Sequence, residues 1–106
     1  MVQTTNKNLD LIKKFKKKLE KLWVDRVIFF GSRTRGTFNS ESDFDIIVIS
    51  KNFEGVKWHK RSLKIYLAWK GDKPLEVLCY TPEEFEEEKK QIGIVQEAVK
   101  EGIEIK

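Results

Sequence analysis

Two carboxylates, Asp43 and Asp45, stand two positions apart ahead of the apolar run Ile46-Ile47-Val48-Ile49. On an extended strand such a pair projects from one face, roughly 7 Å apart along the backbone, so both can reach one divalent cation. Metal-assisted phosphoryl transfer uses carboxylates from neighbouring strands together with phosphate oxygens. Glu76, near the start of a later apolar run, is the candidate third carboxylate and the candidate base for an acceptor hydroxyl. Gly31-Ser32 closes the run Arg26-Val27-Ile28-Phe29-Phe30. A residue without a side chain lets the backbone approach a phosphate there, and turn amides with the Ser32 hydroxyl can bind its oxygens. Arg33 and Arg35 straddle the same turn, and at least one of them is expected to neutralise triphosphate charge. A Walker-type lysine is absent from this segment.

The elements that must position these residues follow from periodicity. Leu9, Ile12, Phe15, Leu19, Leu22 and Trp23 recur at helical spacing, with lysines on the opposite face and Thr5, Asn6 or Asn8 as N-cap candidates. The run 26–30 reads as a buried strand stopped by Gly31, and 43–49 as a second strand reached through a polar loop. Val56, His59, Leu63, Tyr66 and Leu67 predict a helix ended near Gly71 and Pro74, and 75–80 a third strand. Thr81-Pro82-Glu83-Glu84 has the makings of a helix start, a capping hydroxyl, a first-turn proline and acids, so the glutamate cluster is assigned to helix initiation and not to metal binding. Residues 94–99 predict a last helix, broken by Gly102 before a short Ile103-Glu104-Ile105 edge strand.

This order predicts an α/β (α+β) fold, a small mixed sheet of three strands, or four with 103–105, flanked by helices. The close connection of strands one and two suits antiparallel pairing, and the helix between strands two and three suits a parallel crossover. With that topology the end of strand one and the starts of strands two and three share one sheet edge. Gly31, Ser32, Asp43, Asp45 and Glu76 are thereby expected to meet.

Composition narrows the class. A chain of 106 residues, 40% hydrophobic, 11% aromatic and 36% charged, is too apolar for a disordered segment and is read as one domain over 1–106. The net charge of +4 conceals a dipolar distribution: residues 1–26 carry eight basic and three acidic side chains, whereas 76–88 carry six glutamates and no base. Seventeen of the 21 basic residues are lysine, a bias shared with proteins from very hot environments. The Lys-rich first helix can meet nucleic acid, but a solvated helix face is the favoured reading. A single cysteine, Cys79, a start without a leader-like apolar run and no apolar stretch of spanning length together predict a cytoplasmic protein away from the membrane.

Gly-Ser occurs in any turn, and Asp-x-Asp alone is most often a solvated strand edge. Their joint occurrence is the specific signal. Gly31-Ser32-Arg33-Thr34-Arg35-Gly36 followed by Ser42-Asp43-Phe44-Asp45 resembles the motif of the minimal nucleotidyltransferase domains of the DNA polymerase beta superfamily. The chain departs from that pattern at Glu76, where the family usually has Asp, and at Thr34, where it commonly has alanine. The resemblance implies transfer of a nucleoside monophosphate, AMP above all, from ATP or another NTP with Mg²⁺, two ions being expected. It also implies Gly31, Ser32 and Ser42 on the nucleotide, with Asp43, Asp45 and Glu76 as metal ligands. Members of this class are commonly antitoxins of HEPN-domain toxins, so a HEPN-domain partner in an oligomer or hetero-complex is expected, with the acceptor hydroxyl on that partner. The alternative is a non-catalytic binding antitoxin, or a nucleotide-binding subunit, that neutralises or assists a partner by complex formation. His59, with the acids and bases already assigned, is expected to be structural. Trp23, Trp58, Trp69 and Phe38 are expected in the core or on a partner surface sooner than under a stacked base.

Overall fold

The protein is described from a computed structural model that defines the backbone of residues 2–34 and 43–106, with side chains from residue 7 onward in the first segment. The elements run in the order α1 (Val2–Glu20), β1 (Arg26–Phe30), a 3₁₀ turn (Ser32–Thr34), β2 (Phe44–Ile49), a second 3₁₀ turn (Lys51–Phe53), α2 (Trp58–Arg61), α3 (Leu63–Ala68), β3 (Leu75–Tyr80), α4 (Pro82–Glu88), α5 (Ile94–Glu101) and β4 (Ile103–Ile105). The strands form one mixed sheet in the order β3-β2-β1-β4. β1 lies antiparallel to β2 and to β4, and β2 lies parallel to β3, which is the expected mixed topology with its fourth strand present.

Alternation along the strands sends one set of side chains to each face. Val27, Phe29, Phe44, Ile46, Val48 and Cys79 pack under α1 and α3 with Ile12, Phe15, Leu19 and Ile65. On the other face Ile28, Phe30, Ile47, Ile49 and Tyr80 pack under α4 and α5 with Phe85, Val95 and Ala98. Central β2 is covered on both faces, which is why its sequence is a continuous apolar run. At Gly102 an added Cβ would lie 2.8 Å from the Phe29 carbonyl oxygen, so only glycine lets α5 turn directly into β4 at this spacing.

α4 begins as expected. Thr81 Oγ1 accepts from the Glu84 amide at 3.2 Å and Glu84 Oε1 accepts from the Thr81 amide at 2.9 Å, a complete capping box with Pro82 in the first turn. Two expectations are corrected. Thr5, Asn6 and Asn8 all lie inside α1, which begins at Val2, and Asn8 uses its side chain on another element. α1 also stops at Glu20, leaving Leu22 and Trp23 beyond it, and Trp23 takes a left-handed backbone with φ of 69°.

The third helix differs more. The stretch expected to be one helix is broken at Ser62 into α2 and α3. Its inward residues are Ile65, Ala68 and Trp69, whereas Leu63, Tyr66 and Leu67 face outward. The cause is Trp69, whose ring packs edge-on to Phe15 at 5.0 Å and lies 5.3 Å from Phe44, while its Nε1 donates to the Lys73 carbonyl at 2.8 Å. Seating the largest apolar side chain under α1 sets the rotation of the helix before it. His59 is not a core residue; it is exposed on α2. Trp69 meets its expectation of a core role, Trp58 and Trp23 lie on the surface, and Phe38 lies outside the described residues.

Candidate active site

Phe30 on β1 pairs with Asp45 on β2, and Asp45 pairs with Glu76 on β3. Residues paired in register share a face, so Asp45 and Glu76 project side by side on the face that carries α4 and α5, with Asp43 two positions upstream of Asp45. The start of this edge is held closed by the Phe44 amide, which donates to the Pro74 carbonyl at 2.9 Å. Gly31 follows Phe30 with φ of +87°. A Cβ built there would fall on the Asp45 carboxylate, 3.1 Å from its Cγ, so the glycine both permits the left-handed turn and leaves room for that carboxylate. Ser32 opens the 3₁₀ turn and is half-buried; the turn is closed by Thr34, whose amide and hydroxyl both donate to the Gly31 carbonyl, at 3.1 and 2.7 Å.

The carboxylates feel one another. Partial burial pushes the Asp45 carboxyl up to about 6, with the charges of Asp43 and then Glu76 adding to the effect. A half-buried carboxylate flanked by two like charges is stabilised in its ionised form by a cation. Among the described residues, however, no group of three or more His, Cys, Asp or Glu side chains converges into a metal cage. The expected trio Asp43, Asp45 and Glu76 is therefore not assembled as a ligand set, and what remains is a pair of carboxylates of the kind Mg²⁺ takes together with substrate phosphates and water. Asp43 and Asp45 fit such an ion, and Glu76 stands exposed beside them on the edge strand.

Arg33 does not lie with the carboxylates. Arg33 is 4% exposed, and its guanidinium carbon lies 4.6 Å over the Phe44 ring, on the opposite face of the sheet from Asp45. Arg35 and Ser42 lie outside the described residues. Two features of the site were not legible in the sequence. Asn8 of α1 is buried and its Nδ2 donates to the Arg33 carbonyl at 3.0 Å, tying the first helix to the turn after β1. A cleft of about 200 Å³ opens beside Gly31, with Glu97 and Glu101 of α5 on its wall. Neither carries a local signal, since both depend on partners 25 or more positions away.

Comparison with known proteins identifies the family and the fold. Residues 12–102 match the family described as nucleotidyltransferase domain, and the chain belongs to that family. Over 60 residues, 54% of this chain, it is 37% identical to a Methanocaldococcus jannaschii protein named a putative protein adenylyltransferase, and the match spans 61% of that relative's length. The fold resembles the crystal structure of a putative nucleotidyltransferase from Sulfolobus solfataricus with a TM-score of 0.68, over 97% of this chain and 83% of that one, at 19% identity. Among the described residues no helix is long and apolar enough to cross a membrane.

Proposed function

We propose that the protein transfers a nucleoside monophosphate, AMP in the first instance, from NTP to a hydroxyl on a partner protein. The observation that carries this reading is the row Gly31, Asp45, Glu76 at one sheet edge, with the space a Gly31 side chain would need already occupied by the Asp45 carboxylate. The turn at Gly31-Ser32 presents backbone and hydroxyl to the triphosphate. Asp43 and Asp45 would hold Mg²⁺, with two ions expected, and the metal would neutralise charge on the phosphates. Glu76, exposed at the open side, takes the proton of the acceptor hydroxyl; that oxygen bonds to the α-phosphorus, the bond to the bridging oxygen breaks, and pyrophosphate leaves. Arg35 and Ser42 remain assigned to the nucleotide, whereas the placement of Arg33 against Phe44 favours a role in holding the turn.

The adenylyltransferase name of the Methanocaldococcus relative and the edge position of the site, open to a protein-borne acceptor, support this reading. We assign the partner, on the same reading, to a HEPN-domain toxin for which this chain acts as cytoplasmic antitoxin. The test is incubation of purified protein with α-labelled ATP and Mg²⁺, with and without the protein encoded beside it. Label is expected on the partner with wild type. With Asp43→Asn or Asp45→Asn the transfer rate should fall about a hundredfold or more, since several kcal/mol of charge stabilisation are removed. Neutralisation of the partner by the double Asn variant without label transfer would replace this reading with a binding antitoxin.

A further inference from the structure

The end of the sheet opposite the carboxylates carries two grooves of opposite character. One, of about 250 Å³, is lined by Leu22, Trp23, Phe53 and Leu63 and edged by Lys60 and Lys64. The other, of about 420 Å³, is walled by Trp58 and Tyr80 and edged by Glu83, Glu84, Glu87 and Glu88. Arg61 forms the boundary between them. Its guanidinium carbon lies 5.8 Å from the Phe53 ring and 5.6 Å from the Trp58 ring, and its two terminal nitrogens donate to the Glu84 carboxylate at 2.5 and 3.1 Å.

The exposed side chains here are costly for a lone molecule. Trp23, Leu63 and Trp58 are 72, 61 and 51% exposed. Trp23 holds the left-handed position that closes α1, its amide donating to the Glu20 carbonyl and the next amide, of Val24, to the Leu19 carbonyl, both at 3.2 Å, and this cap leaves the indole outside the core. The turn is also held in place by Ser50 Oγ, which donates to the Trp23 carbonyl at 2.6 Å.

We propose that a second copy of this chain covers both grooves through a two-fold contact. Each copy's basic, Trp23-bearing groove meets the other's acidic, Trp58-bearing groove. A two-fold rotation about the Arg61 boundary sets each half on its complement, which adjacent patches of opposite charge require for self-association. A standard interface takes about 800 Å² from each partner, roughly a tenth of the 6959 Å² surface of this molecule. The contact leaves both carboxylate edges outward and does not depend on the reading of that site.

The test pairs sedimentation velocity with charge reversal. Wild type is expected to be dimeric at micromolar concentration. Lys60→Glu/Lys64→Glu and Glu83→Lys/Glu87→Lys should each be folded by circular dichroism and monomeric, while their equimolar mixture should form a heterodimer, since both contacts are then of opposite sign. Glu87 also makes an exposed pair with Lys90 at 3.7 Å, which is too solvent-screened to alter this outcome. Trp23→Gly should weaken association tenfold or more while leaving the monomer at least as stable, because glycine adopts the turn without strain. A wild type that stays monomeric overturns the proposal, as does a dimer indifferent to both reversals. A monomer whose Lys60 and Lys64 bind an oligonucleotide overturns it in favour of nucleic acid.

Discussion

At Gly31 two demands meet on one atom position. The backbone is left-handed, and the volume a Cβ would fill holds the Asp45 carboxylate. Gly31→Ala is therefore expected to lower stability by about 1–3 kcal/mol, from the left-handed backbone together with the displaced carboxylate, and to lower transfer more than stability. Urea denaturation beside a labelled-ATP assay separates the two, and an alanine variant of wild-type stability and activity would refute the crowding. Asp45 supplies a second residue-level prediction. Its carboxyl is raised to about 6, so the ionised form is disfavoured in the folded protein, and stability falls as pH rises between about 4 and 6. In metal-free buffer Asp45→Asn should remove that slope, melting a few degrees above wild type at pH 7.5, about 1 kcal/mol after allowance for solvent screening, and converging with it near pH 4. Parallel melting curves for the two proteins across that range would contradict the cause given. The pair Asp43 and Asp45 with Gly31 and Ser32 could be picked out from residue type and spacing, because strand alternation and glycine's freedom are local properties. Arg33 could not be placed, since its burial against Phe44 depends on a strand ten or more positions onward.

Between elements, a few polar contacts fix the angles at which helices meet the sheet. Asn8 joins α1 to the turn that carries Ser32, and leaving the buried Arg33 carbonyl without its donor costs about 1–3 kcal/mol. Asn8→Ala should lose that much stability and raise the KM for NTP more than it lowers kcat, because the turn would lose its support and not its chemistry. Arg61 ties α2 to α4 and to β3, donating through Nε to the Val56 carbonyl at 2.8 Å and through a terminal nitrogen to the Cys79 carbonyl at 3.3 Å, besides Glu84. Hydrogen bonding from Arg61 holds the Glu84 carboxyl down at about 2. A depressed acid contributes stability above its ordinary value of 4.5 that is lost as pH falls toward 2. The difference between wild type and Glu84→Gln should be under about 1 kcal/mol at neutral pH, given the solvent exposure of the carboxylate, and should vanish near pH 2 in urea melts. A difference independent of pH would assign the effect to the capping box instead. The cap itself was readable in Thr81-Pro82-Glu83-Glu84, whereas the break at Ser62 was not, since it answers to Arg61 and Trp69 and not to local propensity.

For the molecule as a whole, the sheet forms the middle layer, and Cys79 of β3 reports on its integrity. The thiol is 2% exposed and burial pushes it up to about 12, so the native protein should be inert to a thiol reagent at pH 8 and react at once in denaturant. The residual native rate then measures opening of the core, and fast native labelling would show that β3 is not packed as described. The order of the strands along the chain, the mixed sheet and the placing of Gly31, Asp43, Asp45 and Glu76 at one end of it were determined by the sequence alone, because strand periodicity, breakers and connection lengths leave few topologies. Tertiary structure alone decided which face of residues 58–68 turns inward, that Arg33 leaves the carboxylate side, that Asn8 reaches the turn, and how far Asp45 is perturbed. Each of these is settled by atoms distant in the chain, through packing volume and unlike or like charge brought together by the fold, and neither quantity is encoded in the spacing of residues along a strand or helix.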